Sequence, residues 1–140
     1  MGHSIKHLFH IAAPRAAVYE AITTISGLAA WWTRQTSGSP DAGGIIEFRF
    51  GPVYLNKMKV KELKLNESVT WEYVGDTPDW MGTVFTFKLD ENEGKTRIRF
   101  EQANYKEQND FYAQCNFSWG RYLVSLREYC EKGKGTPFGA

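Results

Sequence analysis

Two periods divide the chain. From about Ser4 to Ile11, Ile5, His7, Phe9 and Ile11 recur at every second position, which predicts a strand with one buried face. Pro14 suits the first turn of a helix, where its missing amide hydrogen is not needed. Ala17, Val18, Ala21, Ile22 and Ile25 follow at helical spacing, with Gly27 expected to end that helix. Leu28 to Trp32 reads as a second short helix closing on Trp31-Trp32, and the polar stretch Thr36 to Gly44 as a loop.

From Ile45 the period changes from 3.6 to 2. Ile46, Phe48 and Phe50 alternate with Ile45, Glu47 and Arg49 until Gly51-Pro52 breaks the run. Tyr54, Asn56, Met58 and Val60 share a face; so do Val69, Trp71 and Tyr73; then Thr83, Phe85, Phe87 and Leu89; then Thr96, Ile98 and Phe100. Short turns separate these runs, which predicts an antiparallel meander with one wet face. About Asn109 to Lys132, the helical period returns, with Phe111, Cys115, Trp119, Tyr122, Leu123, Leu126 and Cys130 at three- or four-residue steps. Gly133 and Gly135 stop it. An α+β fold follows: a six-stranded antiparallel sheet, two short helices after its first strand, and one long helix against which its apolar face wraps.

Composition adds three constraints. The chain has 140 residues, consistent with one domain over 1–140, and 42% apolar with 24% charged residues, near the globular average. Aromatic residues reach 15%. The net charge of +1 supplies no general attraction to nucleic acid or to an anionic membrane. Binding to duplex DNA at physiological salt is therefore expected to be no better than non-specific, and a sequence-dependent gel shift at that salt would overturn this. No apolar run approaches the roughly 18 to 20 residues of a transmembrane helix, and the first residues lack the pattern of a signal peptide. Cys115 and Cys130 on one helix lie roughly 22 Å apart, too far for a disulfide. Free thiols and no export signal favour the cytoplasm.

Several segments carry a family resemblance: Ala13-Pro14 and Val18-Tyr19-Glu20-Ala21-Ile22 before Trp31-Trp32, the strand Thr83-Val84-Phe85-Thr86-Phe87, the run Gly94-Lys95-Thr96-Arg97-Ile98, and the tail Trp119-Gly120-Arg121-Tyr122-Leu123 through Leu126 to Glu131-Lys132-Gly133. Their order resembles the helix-grip fold of the START/Bet v 1-like (SRPBCC) superfamily, and within it the activator of Hsp90 ATPase homologue family. The resemblance implies a cavity between sheet and final helix for an apolar small molecule, and an Hsp90-type ATPase as a partner. The eukaryotic activator also carries a separate N-terminal domain, and this chain resembles only its C-terminal part.

The residues themselves admit a solid aromatic core as well as a cavity, because large rings fill space. The cavity reading takes Phe48, Tyr54, Asn56, Met58, Trp71, Tyr73, Phe85, Trp119 and Tyr122 as its lining. Buried polar tips need partners, and a mostly apolar pocket with a few polar anchors is the usual chemistry of small-ligand sites. Trp31-Trp32 and Trp80-Met81, at the ends of elements, either plug the core or form the cavity mouth, a partner surface or a homodimer contact.

Other features are weaker. Lys57, Lys59, Lys61 and Lys64 form a basic stripe that strand alternation already explains as the solvent face, with Glu47, Glu62, Glu72 and Glu101 interleaved. His3 and His7 share a strand parity that His10 does not, so no metal site is expected, and no cofactor motif stands out. No nucleophile is set beside a base. Three functions remain: a non-enzymatic domain binding an apolar or aromatic small molecule, a co-chaperone-like module, and a polyketide cyclase-like enzyme, the last drawing on Tyr54, Asn56 or Tyr73 as polar groups.

Overall fold

A computed structural model describes residues 2–139. The elements run β1 (His3–Ile11), α1 (Arg15–Thr23), α2 (Ile25–Trp31), β2 (Gln35–Gly38), β3 (Ile45–Phe50), β4 (Tyr54–Lys64), β5 (Ser68–Tyr73), a 3₁₀ turn (Pro78–Trp80), β6 (Val84–Asn92), β7 (Lys95–Tyr105) and α3 (Asp110–Lys132). All strands join one sheet in the order β1-β7-β6-β5-β4-β3-β2, every pairing antiparallel.

The sheet has seven strands where alternation predicts six. The additional one, β2, falls largely within the polar stretch 36–44 read as a loop. Only Thr36 of β2 is buried, so no alternating apolar signal marks it. Its pairing comes from the tertiary fold: Gln35 to Gly38 run against Arg49 to Ile46 of β3, and the Thr33 hydroxyl donates to the Arg49 carbonyl at 2.7 Å.

Gly27 does not end the first helix. That helix stops at Thr23, and Thr24 caps the next one by accepting from the Gly27 amide at 3.0 Å. Gly27 serves close approach instead, since a Cβ there would lie 2.8 Å from the Ala21 Cα. The Trp31 indole N–H then donates to the Ala21 carbonyl at 2.9 Å, locking α2 onto α1.

Helix α3 starts at Asn109, whose side chain accepts from the Tyr112 amide at 3.0 Å, and ends at Gly133 in the left-handed region. Cys115, Trp119, Leu123 and Leu126 form its buried stripe. Ser125, also buried, donates to the Trp31 carbonyl at 2.8 Å and accepts from the Thr136 amide at 2.7 Å. This hydroxyl ties the chain after α3 back to α2, and the Phe138 amide donates to the Trp32 carbonyl at 2.8 Å. Among the described residues no helix is long and apolar enough to cross a membrane.

Candidate functional site

The concave face of the sheet is filled unevenly. Trp32 enters from the end of α2 and lies against Phe48 (ring centroids 4.3 Å apart), Trp119 (4.9 Å) and Trp71 (6.3 Å). Trp71 in turn meets Phe85 and Phe87, and Phe87 meets Phe100 at 5.0 Å. These rings pack against one another, and all of them are buried. Beside it, between β3–β4, the 3₁₀ turn and the first half of α3, a cleft of about 770 Å³ remains. Its walls include Trp32, Phe50, Tyr54, Asn56, Thr77, Trp80, Phe111, Cys115, Phe117, Ser118, Trp119, Tyr122 and Phe138.

Of the nine residues picked out as a lining, Tyr54, Asn56, Trp119 and Tyr122 stand on the cleft wall. Phe48, Met58, Trp71, Tyr73 and Phe85 share the same sheet face but lie buried in the neighbouring core and do not line the cleft, Tyr73 standing directly behind Asn56, Thr77 and Trp80. Of the two pairs at element ends, Trp31 is fully buried in the α1–α2 contact, and Trp32 and Trp80 are buried cleft walls. Met81 is exposed and outside the cleft.

Polar atoms around the cleft are organised in two chains of hydrogen bonds. In the first, the Thr77 amide donates to the Tyr73 hydroxyl at 2.9 Å, and that hydroxyl points to the Asn56 Oδ1 at 3.4 Å. With its oxygen turned to Tyr73, the Asn56 amide nitrogen is left to donate elsewhere. In the second, Gln102 gathers the core: its Oε1 accepts from the Tyr105 hydroxyl at 2.6 Å and the Trp119 indole at 2.9 Å, while its Nε2 donates to the Thr83 hydroxyl at 3.2 Å. Gln102 was not among the residues singled out from sequence. The signal was present, because it has the inward parity of Ile98 and Phe100 on β7.

Among the described residues, no Asp, Glu, Lys, Arg or His forms the cleft wall. Cys115 is on it, but burial raises its thiol pKa, and burial pushes the Cys130 thiol up to about 12. Burial thus favours the protonated thiol at both positions, the opposite of what activates a cysteine nucleophile. Burial likewise raises the Tyr122 phenol. The cleft thus offers neutral, mainly aromatic surface with few hydrogen-bonding groups.

A curved antiparallel sheet gripping a long C-terminal helix, with an aromatic cleft alongside, defines the helix-grip class. The chain belongs to the family described as Activator of Hsp90 ATPase homolog 1-like protein, whose model matches residues 12–131. It is similar to the Aha1 of Colwellia psychrerythraea, whose solution structure is described as a dimer, with 39% identity over 95% of this chain and 99% of that one, and a TM-score of 0.88. More distant structures share the fold. Protein MLL2253 from Mesorhizobium loti is 18% identical, covering 90% of this chain and 95% of its own, with a TM-score of 0.79. Protein BH1534 from Bacillus halodurans is 20% identical, covering 92% and 97%, with a TM-score of 0.76. No curated protein matches the chain.

Proposed function

We propose that the cleft between β3–β4 and the first half of α3 binds a neutral apolar or aromatic small molecule carrying a hydrogen-bond acceptor. The observation that carries this reading is an uncharged, aromatic cleft of about 770 Å³, within the usual size of small-ligand sites, with Asn56 on its wall. Ring faces and edges supply the affinity, and the Asn56 donor orients the acceptor.

Nile red, an uncharged probe, tests this. It is expected to gain fluorescence with the folded wild type and to quench tryptophan emission from the cleft. Asn56→Phe fills the space and removes the donor, so probe affinity should fall by at least about tenfold, some 1.4 kcal/mol, with the circular-dichroism spectrum retained. No uptake by the wild type, or an unchanged affinity in Asn56→Phe, removes the cleft as a binding site.

A second reading is a co-chaperone-like module for an Hsp90-type ATPase, supported by the family match across residues 12–131. Such a role uses outer surface and needs no ligand in the cleft, so a wild type that takes up no probe would favour it. The dimeric state described for the Colwellia psychrerythraea relative supports a two-copy assembly for this chain under either reading.

A further inference from the structure

The outward face of α3 carries apolar side chains that nothing in the chain covers. Phe117 is 71% exposed and Val124 43% exposed, and Ala113 lies on the same exposed side; Phe117 and Ala113 also stand at the edge of the cleft described above. Between them sits Gly120. Glycine is the poorest helix former after proline, and here it stands in the middle of a 23-residue helix. Packing within the chain does not call for it, because a Cβ at this position would meet only the His7 Cε1, at an ordinary 3.7 Å. Its bare backbone instead forms part of the wall of a hollow of about 130 Å³ between α3 and β1, together with Leu8 and Val124.

We propose that two copies of this chain associate through the outward faces of α3, packed antiparallel about a two-fold axis, with Phe117 of each copy seated over Gly120 of the other. The location of the contact rests on the two-copy reading above. The face is self-complementary in the way a two-fold contact requires, residue i meeting j while j meets i. An axis placed between Ser118 and Trp119 sets Phe117 opposite Gly120, Ala113 opposite Val124 and Asp110 opposite Arg127. Asp110 and Arg127 have no ion-pair partner among the described residues, so the pairing joins two unengaged opposite charges. At 1.5 Å per residue the matched stretch is about 26 Å long, which suits the shallow crossing of helices packed along their length. A stable interface covers about 800 Å² per partner, more than one helical stripe provides. Leu8, 61% exposed on the opposite wall of the hollow, extends the patch across β1.

Sedimentation velocity over a range of concentrations, with circular dichroism to confirm folding, tests the contact. The wild type is expected to be a dimer. Phe117→Glu should raise the dimer dissociation constant by at least about a hundredfold, as for a central aromatic anchor. Gly120→Gln fills the seat while favouring the helix, so it should weaken the dimer with the helical circular-dichroism signal retained. Asp110→Arg and Arg127→Asp should each weaken it by about tenfold, and the double variant should restore it. A dimer unchanged by Phe117→Glu and Gly120→Gln, or a double charge variant that fails to recover, overturns the α3 contact and leaves the two-copy reading standing. A wild type that stays monomeric at the highest concentration overturns both.

Discussion

Replacing Trp119 with alanine is expected to destabilise the protein by about 3 to 5 kcal/mol, read as a lower urea midpoint at unchanged slope. The indole is 3% exposed and touches both halves of the core. Its ring centroid lies 4.3 Å from Phe100 and 4.9 Å from Trp32, so it joins β7, the end of α2 and α3 in one contact. Its N–H donates to Gln102 at 2.9 Å. Trp119→Phe separates the two contributions. It keeps an aromatic ring and removes the donor, while Gln102 Oε1 still accepts from Tyr105. Its loss should be nearer 1 to 2 kcal/mol, about one hydrogen bond plus a small volume deficit. An alanine variant that lost less than about 1 kcal/mol would show that the ring does not join these elements, since a buried aromatic truncation normally costs several times more.

The same residue illustrates what was legible in sequence. Helical spacing puts Trp119 on one stripe with Phe111, Cys115, Tyr122, Leu123, Leu126 and Cys130. Cys115, Trp119, Leu123 and Leu126 are buried, the other three are half-buried at its margins, and the buried Ser125 carried no apolar signal. The meander from β3 to β7 was largely legible, because most of each strand alternates between a buried and a wet face. The register shift of β4 between Val60 and Glu62 and the break of β7 at Asn104 left no such signal. The short edge strand β2 was not, since a polar segment paired on one side leaves no alternation to read. Gly27 is ambiguous in sequence for a related reason. Glycine marks both helix ends and close approaches, and only the 2.8 Å approach to Ala21 distinguishes them.

The candidate site was legible by face and not by position along the face. Alternation places Phe48, Asn56, Met58, Trp71 and Phe85 on the concave side of the sheet, and all five are buried there. It contains nothing about how far α2 reaches across that side. Trp32 lies over Phe48 and Trp71 and so divides the face into a filled part and an open part. Asn56 sits one pair along the strand from Met58, yet it alone of the two reaches the cleft. Phe138 joins the wall through the backbone bonds that return the tail to Trp32 and Arg34, a tertiary contact with no local sequence signal. The open part owes its neutrality to the alternation itself, which sends Lys57 and Lys59 to the other side of β4 from Asn56 and Met58.

Leu126→Ala is expected to cost about 2 to 5 kcal/mol, with the value set by how far the surrounding core collapses into the space. Leu126 has no exposed surface and sits one residue after Ser125, whose hydroxyl holds Trp31 and Thr136 together. Loss of the leucine therefore also loosens the turn of α3 to which α2 and the tail are tied. Asn116→Ala, on the exposed side of the same helix, is the matched comparison and should change stability by no more than about 0.5 kcal/mol. Melts of both variants at one protein concentration keep any self-association term constant. A Leu126→Ala loss below about 0.5 kcal/mol, indistinguishable from that at Asn116, would mean that α3 presents a different face to the sheet. The full difference would establish that the gripped helix is held by its leucine stripe as well as by the tryptophan at its centre.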